Sequence, residues 1–153
     1  MSLLNQQAPN FTLENEKGQQ VSLSDFKGKN VVLYFYPKDM TPGCTTEACD
    51  FRDAYEDFSS LNAVILGVSM DDANKHTKFI EKHGLPFSLL VDAEHEVAEK
   101  YGVWVLKKMY GREYMGIERS TFLINEEGIV VAQWRKVKVK NHIEAVLSQL
   151  KGE

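Results

Sequence analysis

Apolar residues come in two kinds of run along this chain, and their order predicts its elements. Phe11–Leu13 and Val21–Leu23 alternate apolar with polar residues on either side of Glu16-Lys17-Gly18, the pattern of a small hairpin. Val31–Tyr36 is continuously apolar and rich in β-branched and aromatic residues, as a strand covered on both faces requires. After a loop at Pro37–Thr41 the spacing predicts a helix reaching about Phe58, then a second buried strand at Ala63–Ser69. Asp72 is placed to cap a helix over Ala73–His83, which Gly84 and Pro86 bring to an end. Ser88–Val91 predicts a third strand, and His95–Tyr101 a helix that stops at Gly102. Val103–Gly116 has no clear period. It mixes Trp104, Met109, Tyr110, Tyr114 and Met115 with Lys and Arg, and is expected to be a partly packed surface loop. Ser120–Asn125 and Ile129–Arg135 flank the turn Glu126-Glu127-Gly128 as an antiparallel hairpin, and Asn141–Leu150 closes the chain as an amphipathic helix.

This order, βαβ followed by ββα, predicts an α/β fold whose central sheet is largely parallel and made mixed by the late hairpin. Ligands of such sheets gather at the carboxyl ends of the strands. The segment Pro37–Cys44 leaves one of those ends, so chemistry is sought there.

The totals narrow the function classes. At 153 residues the chain is expected to form a single domain over 1–153 with a substantial core. A net charge of -4 gives no support for a nucleic-acid or anionic-membrane partner. The densest basic stretch, Arg135–Lys140, alternates with Val137 and Val139 and reads equally as a solvated strand end. The first residues lack both a basic start and an apolar stretch of signal length, and no window approaches a membrane span. The expected location is therefore the cytoplasm. Two cysteines in that reducing compartment predict a transient bridge rather than a structural one. His76, His83, His95 and His142 are scattered without ligand spacing, so no metal site is expected.

The chemistry concentrates in Tyr36-Pro37-Lys38-Asp39-Met40-Thr41-Pro42-Gly43-Cys44-Thr45-Thr46-Glu47-Ala48-Cys49. Thr41 before Pro42 has the form of an N-cap followed by proline at the first helical position. Cys44 then falls in the first turn, where free N–H groups and the positive end of the helix dipole favour an anion. Ala48, Phe51, Tyr55 and Phe58 mark the core-facing stripe, and Cys44 lies four residues before Ala48 on the same line. Cys49 lies about 140° around the helix and about 8.6 Å away between Cα atoms. A disulfide needs less than about 7 Å. The two cysteines can bond only if the first turns unwind, which Gly43, Thr45 and Thr46 make cheaper as weak helix formers. A lone helical cysteine more often simply fills space, and Cys49 taken alone is as well explained that way.

The run Pro37-x-x-x-Thr41-x-x-Cys44, with Cys49 five residues on, resembles the active-site signature of the peroxiredoxins and, within them, of the bacterioferritin comigratory protein (peroxiredoxin Q) subfamily. The likeness extends to Ala8-Pro9-Asn10-Phe11, Lys100-Tyr101-Gly102-Val103-Trp104 and Arg119-Ser120-Thr121-Phe122-Leu123-Ile124. After Trp104 the chain reads Val105-Leu106 where relatives often carry Gly-Glu. The resemblance implies a thioredoxin-like three-layer fold with a mixed central sheet and an N-terminal β-hairpin extension. It implies reduction of hydrogen peroxide or organic hydroperoxides without metal or organic cofactor, by a monomer that takes electrons from thioredoxin or a similar dithiol. Cys44 would be the peroxidatic thiolate and Cys49 the resolving thiol.

The remaining site residues carry two readings each. Thr41 offers a hydroxyl near the sulfur or a helix cap, and Pro37 shields the sulfur or merely stiffens the loop. Arg119 is either the cation at the breaking O–O bond or a solvated strand-end charge. The N–H groups of Gly43 and Cys44 are candidate donors to the peroxide. Glu47 either braces the site or complements the helix dipole. Two other functions compete. A general thiol–disulfide oxidoreductase would want Cys-x-x-Cys, whereas the spacing here is Cys-x-x-x-x-Cys. A non-catalytic binding or chaperone-like module predicts two equally slow thiols and a helix that never unwinds.

Overall fold

The computed structural model of the chain describes residues 2–152. Its centre is a seven-stranded mixed sheet built from β1 (Thr12–Glu14), β2 (Gln20–Ser22), β3 (Asn30–Phe35), β4 (Ala63–Ser69), β5 (Ser88–Val91), β8 (Ser120–Ile124) and β9 (Val130–Trp134). The strands run in the order β2-β1-β5-β4-β3-β8-β9, with β3, β4 and β5 parallel and the outer pairings antiparallel. The thioredoxin-like architecture is therefore present. The N-terminal hairpin extends the sheet through Glu14 against Val91.

Alternation along β3 explains why a continuously apolar strand was needed. Val31, Leu33 and Phe35 enter one core, with Val97, Tyr101 and Phe122. Val32 and Tyr34, with Tyr36 just beyond the strand, enter the other, with Cys44, Ala48, Phe51, Phe58 and Phe79. This second core lies under helices α1 (Pro42–Asp53), α2 (Tyr55–Ser60), α3 (Ala73–His83) and α5 (His142–Lys151), whereas α4 (Glu96–Lys100) covers the first. At Gly67 an added Cβ would lie 2.7 Å from Leu89 and 2.9 Å from the Tyr34 ring. Glycine there lets Tyr34 lie against β4 and reach toward α1.

Three expectations change. The helix predicted to reach Phe58 breaks at Ala54, whose φ of -98° and ψ of 6° separate α1 from α2. Val103–Gly116 is not a loop: β6 (Trp104–Met109) and β7 (Arg112–Ile117) pair as a hairpin around Tyr110-Gly111, both with positive φ. Its pattern is hard to read because the ribbon stands away from the main sheet, with Leu106, Met109, Tyr114 and Met115 in solvent. Finally, Thr41 does not cap α1 with its side chain. Its hydroxyl donates instead to the Lys38 carbonyl at 2.7 Å, which tightens the loop. Asp72 does cap α3, accepting from the Lys75 N–H at 2.9 Å.

Candidate active site

The sheet register fixes the site. Phe35 pairs with Ser120, so Arg119, one residue before β8, stands beside the end of β3 where the chain turns into α1. Cys44 lies in the first turn of α1 and is almost wholly buried. The Nη2 of Arg119 donates to Cys44 Sγ at 3.3 Å, and Nη1 donates to Glu47 Oε1 at 2.7 Å. Cys44 and Glu47 are three residues apart on one helix face, so a single guanidinium reaches both. The Arg119 side chain is 16% exposed while that of Glu47 is fully buried. The arginine thus forms the edge of the site toward solvent, and the glutamate holds it from beneath.

Electrostatics follow from that burial. Burial pushes the Glu47 carboxyl up from its ordinary value to about 7, against the pull of Arg119. Its second oxygen has no protein partner, which leaves this carboxylate costly to keep charged. Burial disfavours the charged Arg119 as well, but Glu47 and Cys44 outweigh it and raise the pKa of the guanidinium. Gly43 makes the approach possible, because a Cβ there would lie 3.1 Å from Arg119 Nη2.

With the Thr41 side chain turned to Lys38, no side-chain cap covers the start of α1. The first-turn N–H groups of Gly43 and Cys44 face outward from the helix end, beside the sulfur. Pro37 is exposed one residue past Tyr36, and it is the least integrated of the predicted site residues. Cys49, partly exposed, lies further along the same unbroken helix, and both thiols are free. Among the described residues, no group of His, Cys, Asp or Glu side chains converges as a metal site, and no helix is long and apolar enough to cross a membrane.

Two features escaped the sequence reading. Lys107, on β6, is half-buried near Arg119 and Cys44, and burial followed by the repulsion of Arg119 lowers its pKa. The second is a buried cluster of Asp39, His76, Tyr36 and Asp71 under the Pro37–Thr41 loop. His76 precedes Phe79 by three residues on the apolar line of α3, and that spacing was the available signal for its burial.

Residues 4–133 match the model of the AhpC/TSA family. The chain is 63% identical over 148 residues to a peroxiredoxin Bcp of Bacillus subtilis, covering 97% of this chain and 94% of that protein. Among solved structures, peroxiredoxin Q of Xanthomonas campestris superposes with a TM-score of 0.89 at 45% identity, covering 94% of this chain and 90% of that one. A second structure from Xanthomonas campestris, of a bacterioferritin comigratory protein studied for alkyl peroxide reduction, also gives a TM-score of 0.89 at 45% identity, over 93% and 90% of the two chains.

Proposed function

The chain belongs to the AhpC/TSA family, in its peroxiredoxin Q (Bcp) branch, and from that premise we propose that it is an antioxidant thiol peroxidase acting on hydrogen peroxide and organic hydroperoxides through Cys44. The observation that carries this reading is the Arg119 guanidinium 3.3 Å from a buried sulfur at a helix N-terminus. A cation and oriented N–H groups stabilise both the thiolate and the charge that develops on the departing oxygen.

The Cys44 thiolate attacks one peroxide oxygen. The S–O bond forms, the O–O bond breaks, and the second oxygen leaves with the electron pair, taking a proton to become water or an alcohol. Cys44 is then a sulfenic acid. Arg119 and the N–H groups of Gly43 and Cys44 hold the peroxide in line, Thr41 and Pro37 shape the loop around it, and Glu47 fixes Arg119. Cys49 attacks the sulfenic sulfur after the first turns of α1 unwind, expelling water and forming the Cys44–Cys49 disulfide. A dithiol protein such as thioredoxin returns both cysteines to thiols by exchange. The working unit is a monomeric single domain in the cytoplasm.

Stopped-flow mixing of pre-reduced protein with hydroperoxide tests these roles. Wild type and Cys49→Ser should both show the fast phase and Cys44→Ser should lack it. Cys49→Ser should stall at a sulfenic acid that thioredoxin does not clear. A wild-type reaction no faster than that of an ordinary free thiol would sink the assignment.

A further inference from the structure

The peroxide chemistry leaves one buried polar cluster unused. Asp39, between exposed Lys38 and Met40, is itself buried. Its N–H donates to Asp71 Oδ2 at 2.7 Å, and its Oδ1 accepts from the Tyr36 hydroxyl. Its Oδ2 lies 2.6 Å from Nδ1 of His76, a wholly buried side chain of α3. The other ring nitrogen, Nε2, lies 2.8 Å from the Leu90 carbonyl on β5. A carbonyl only accepts, so Nε2 carries hydrogen. One further proton then sits between Nδ1 and Asp39 Oδ2, whichever of the two holds it. Without that proton an imidazole lone pair would face a carboxylate oxygen in a site closed to water.

Resting on Cys44 as the peroxidatic residue, we propose that Asp39 and His76 are positioning residues that share one proton to pin the loop delivering Cys44 to Arg119, and so set how readily the first turns of α1 unwind toward Cys49. Asp39 lies three residues before Pro42, where α1 begins. Between them Met40 has a φ of 67°, a left-handed conformation that a side chain other than glycine adopts only when its neighbours hold it. Asp39 supplies that hold on one side and the helix on the other. When the pin is released Met40 relaxes, and the entry to α1 loses its fixed point against α3 and β5.

The pin is sensitive to pH in a defined direction. The groups facing His76 are Asp39 from the loop after β3 and Asp71 from the turn after β4, and the Tyr36 hydroxyl holds the other oxygen of Asp39. Asp71 in turn lies 3.9 Å from Lys75 of α3. Burial disfavours the charged imidazole, but the hydrogen bond and charge of Asp39 outweigh it, and the pKa is raised. The proton is therefore held below that raised value and lost as pH rises through it.

Amide hydrogen exchange on the full-length reduced protein, without peroxide, tests this. Asp39→Ala should lower protection of residues 43–48 about tenfold relative to β4 and β8. Asp39→Asn keeps a hydrogen-bonded shape, because its amide donates to Nδ1, but it has no proton to share. It should retain protection while losing the fall in α1 protection that wild type shows with rising pH. Unchanged protection in Asp39→Ala, or an equal loss in β4 and β8, would overturn the proposal. If Asp39→Ala does not fold, the pH series of wild type against Asp39→Asn decides alone, and identical profiles refute the pin. Because exchange is read without peroxide, a dead peroxidase with this exchange pattern would refute only the reading of Cys44.

Discussion

Cys44 and Cys49 occupy the same helix, α1, yet their surroundings differ in almost every respect. Cys44 is sealed against Tyr34, Ala48 and Phe51 in the core beneath α1, with Arg119 on its sulfur. Cys49 faces partly outward and, among the described residues, its sulfur has no hydrogen-bond partner. Its neighbour Arg52 is engaged elsewhere, with Asp53 and the His83 carbonyl. A nucleophile that must discriminate among oxidants is served by a fixed, charged, dry pocket. A resolving thiol needs only to be reachable once the helix opens. In the roles proposed for the two cysteines, one helix meets both demands, the first on its buried face and the second on its partly exposed one.

The strongest way to break the contrast is to remove the cation. Arg119→Ala should slow the peroxide step by about 10²–10³-fold, while the reaction of Cys49 with a small alkylating agent changes little. Arg119→Lys should recover only part, since an ammonium gathers its three donors on one nitrogen and lacks the flat fork whose two nitrogens reach Sγ and Glu47 separately. Equal losses at both thiols would mean that the arginine supports the helix rather than the sulfur.

Next in size is Glu47→Gln, expected to slow the peroxide step about tenfold by loosening the charge-assisted bond that aims Arg119. It also has a stability signature. Because burial raises the Glu47 pKa to about 7, the folded protein binds this proton more tightly than the unfolded chain does. Stability from this group is therefore complete below the ordinary carboxylate range and is lost as pH rises to about 7, by about 3 kcal/mol at most. Buried His142, bonded to Thr121, tilts the curve the other way. Burial, and then Arg119, lower its pKa to about 4, so its contribution is lost as pH falls through the acid range. The difference between variant and wild type in urea melts is thus the readout, and Glu47→Gln should gain on wild type as pH rises. Gly43→Ala should cost the peroxide step only a few fold, because the guanidinium must give way by a few tenths of an ångström.

How much of this could be read in the sequence divides along the same line. The setting of Cys44 was legible because it is local: proline at the first position, a helix start and a stripe of apolar residues lie within a few turns. Arg119 and Glu47 were not legible from spacing, because their meeting depends on β3 pairing with β8, and only the resemblance raised Arg119 above a solvated charge. The clamp of Asp39 on His76 was missed for the same reason, since it needs α3 to pack over the loop from 37 residues away. The β6–β7 hairpin was missed for the opposite reason. It buries too little to impose a period, and its two-residue turn, Tyr110-Gly111, takes two positive φ angles with only the glycine to signal them.

The smallest expected effect bears on the unwinding itself. Thr46 is exposed, and its hydroxyl bonds back to the Pro42 carbonyl at 3.0 Å, competing with the helix it sits in. Alanine at this position touches neither Arg119 nor the sulfur but raises helix propensity by about 0.5 kcal/mol. If the disulfide waits on unwinding, Thr46→Ala should slow disulfide formation about twofold, since 1.4 kcal/mol is a factor of ten, and leave the peroxide step as it was. Rapid-quench thiol labelling after a single turnover separates the two steps. Slowing of both would place Thr46 in the pocket's support. Slowing of neither would mean that Cys49 reaches Cys44 without opening the first turns, which the spacing on an intact helix forbids within one chain, and would direct attention to resolution between chains.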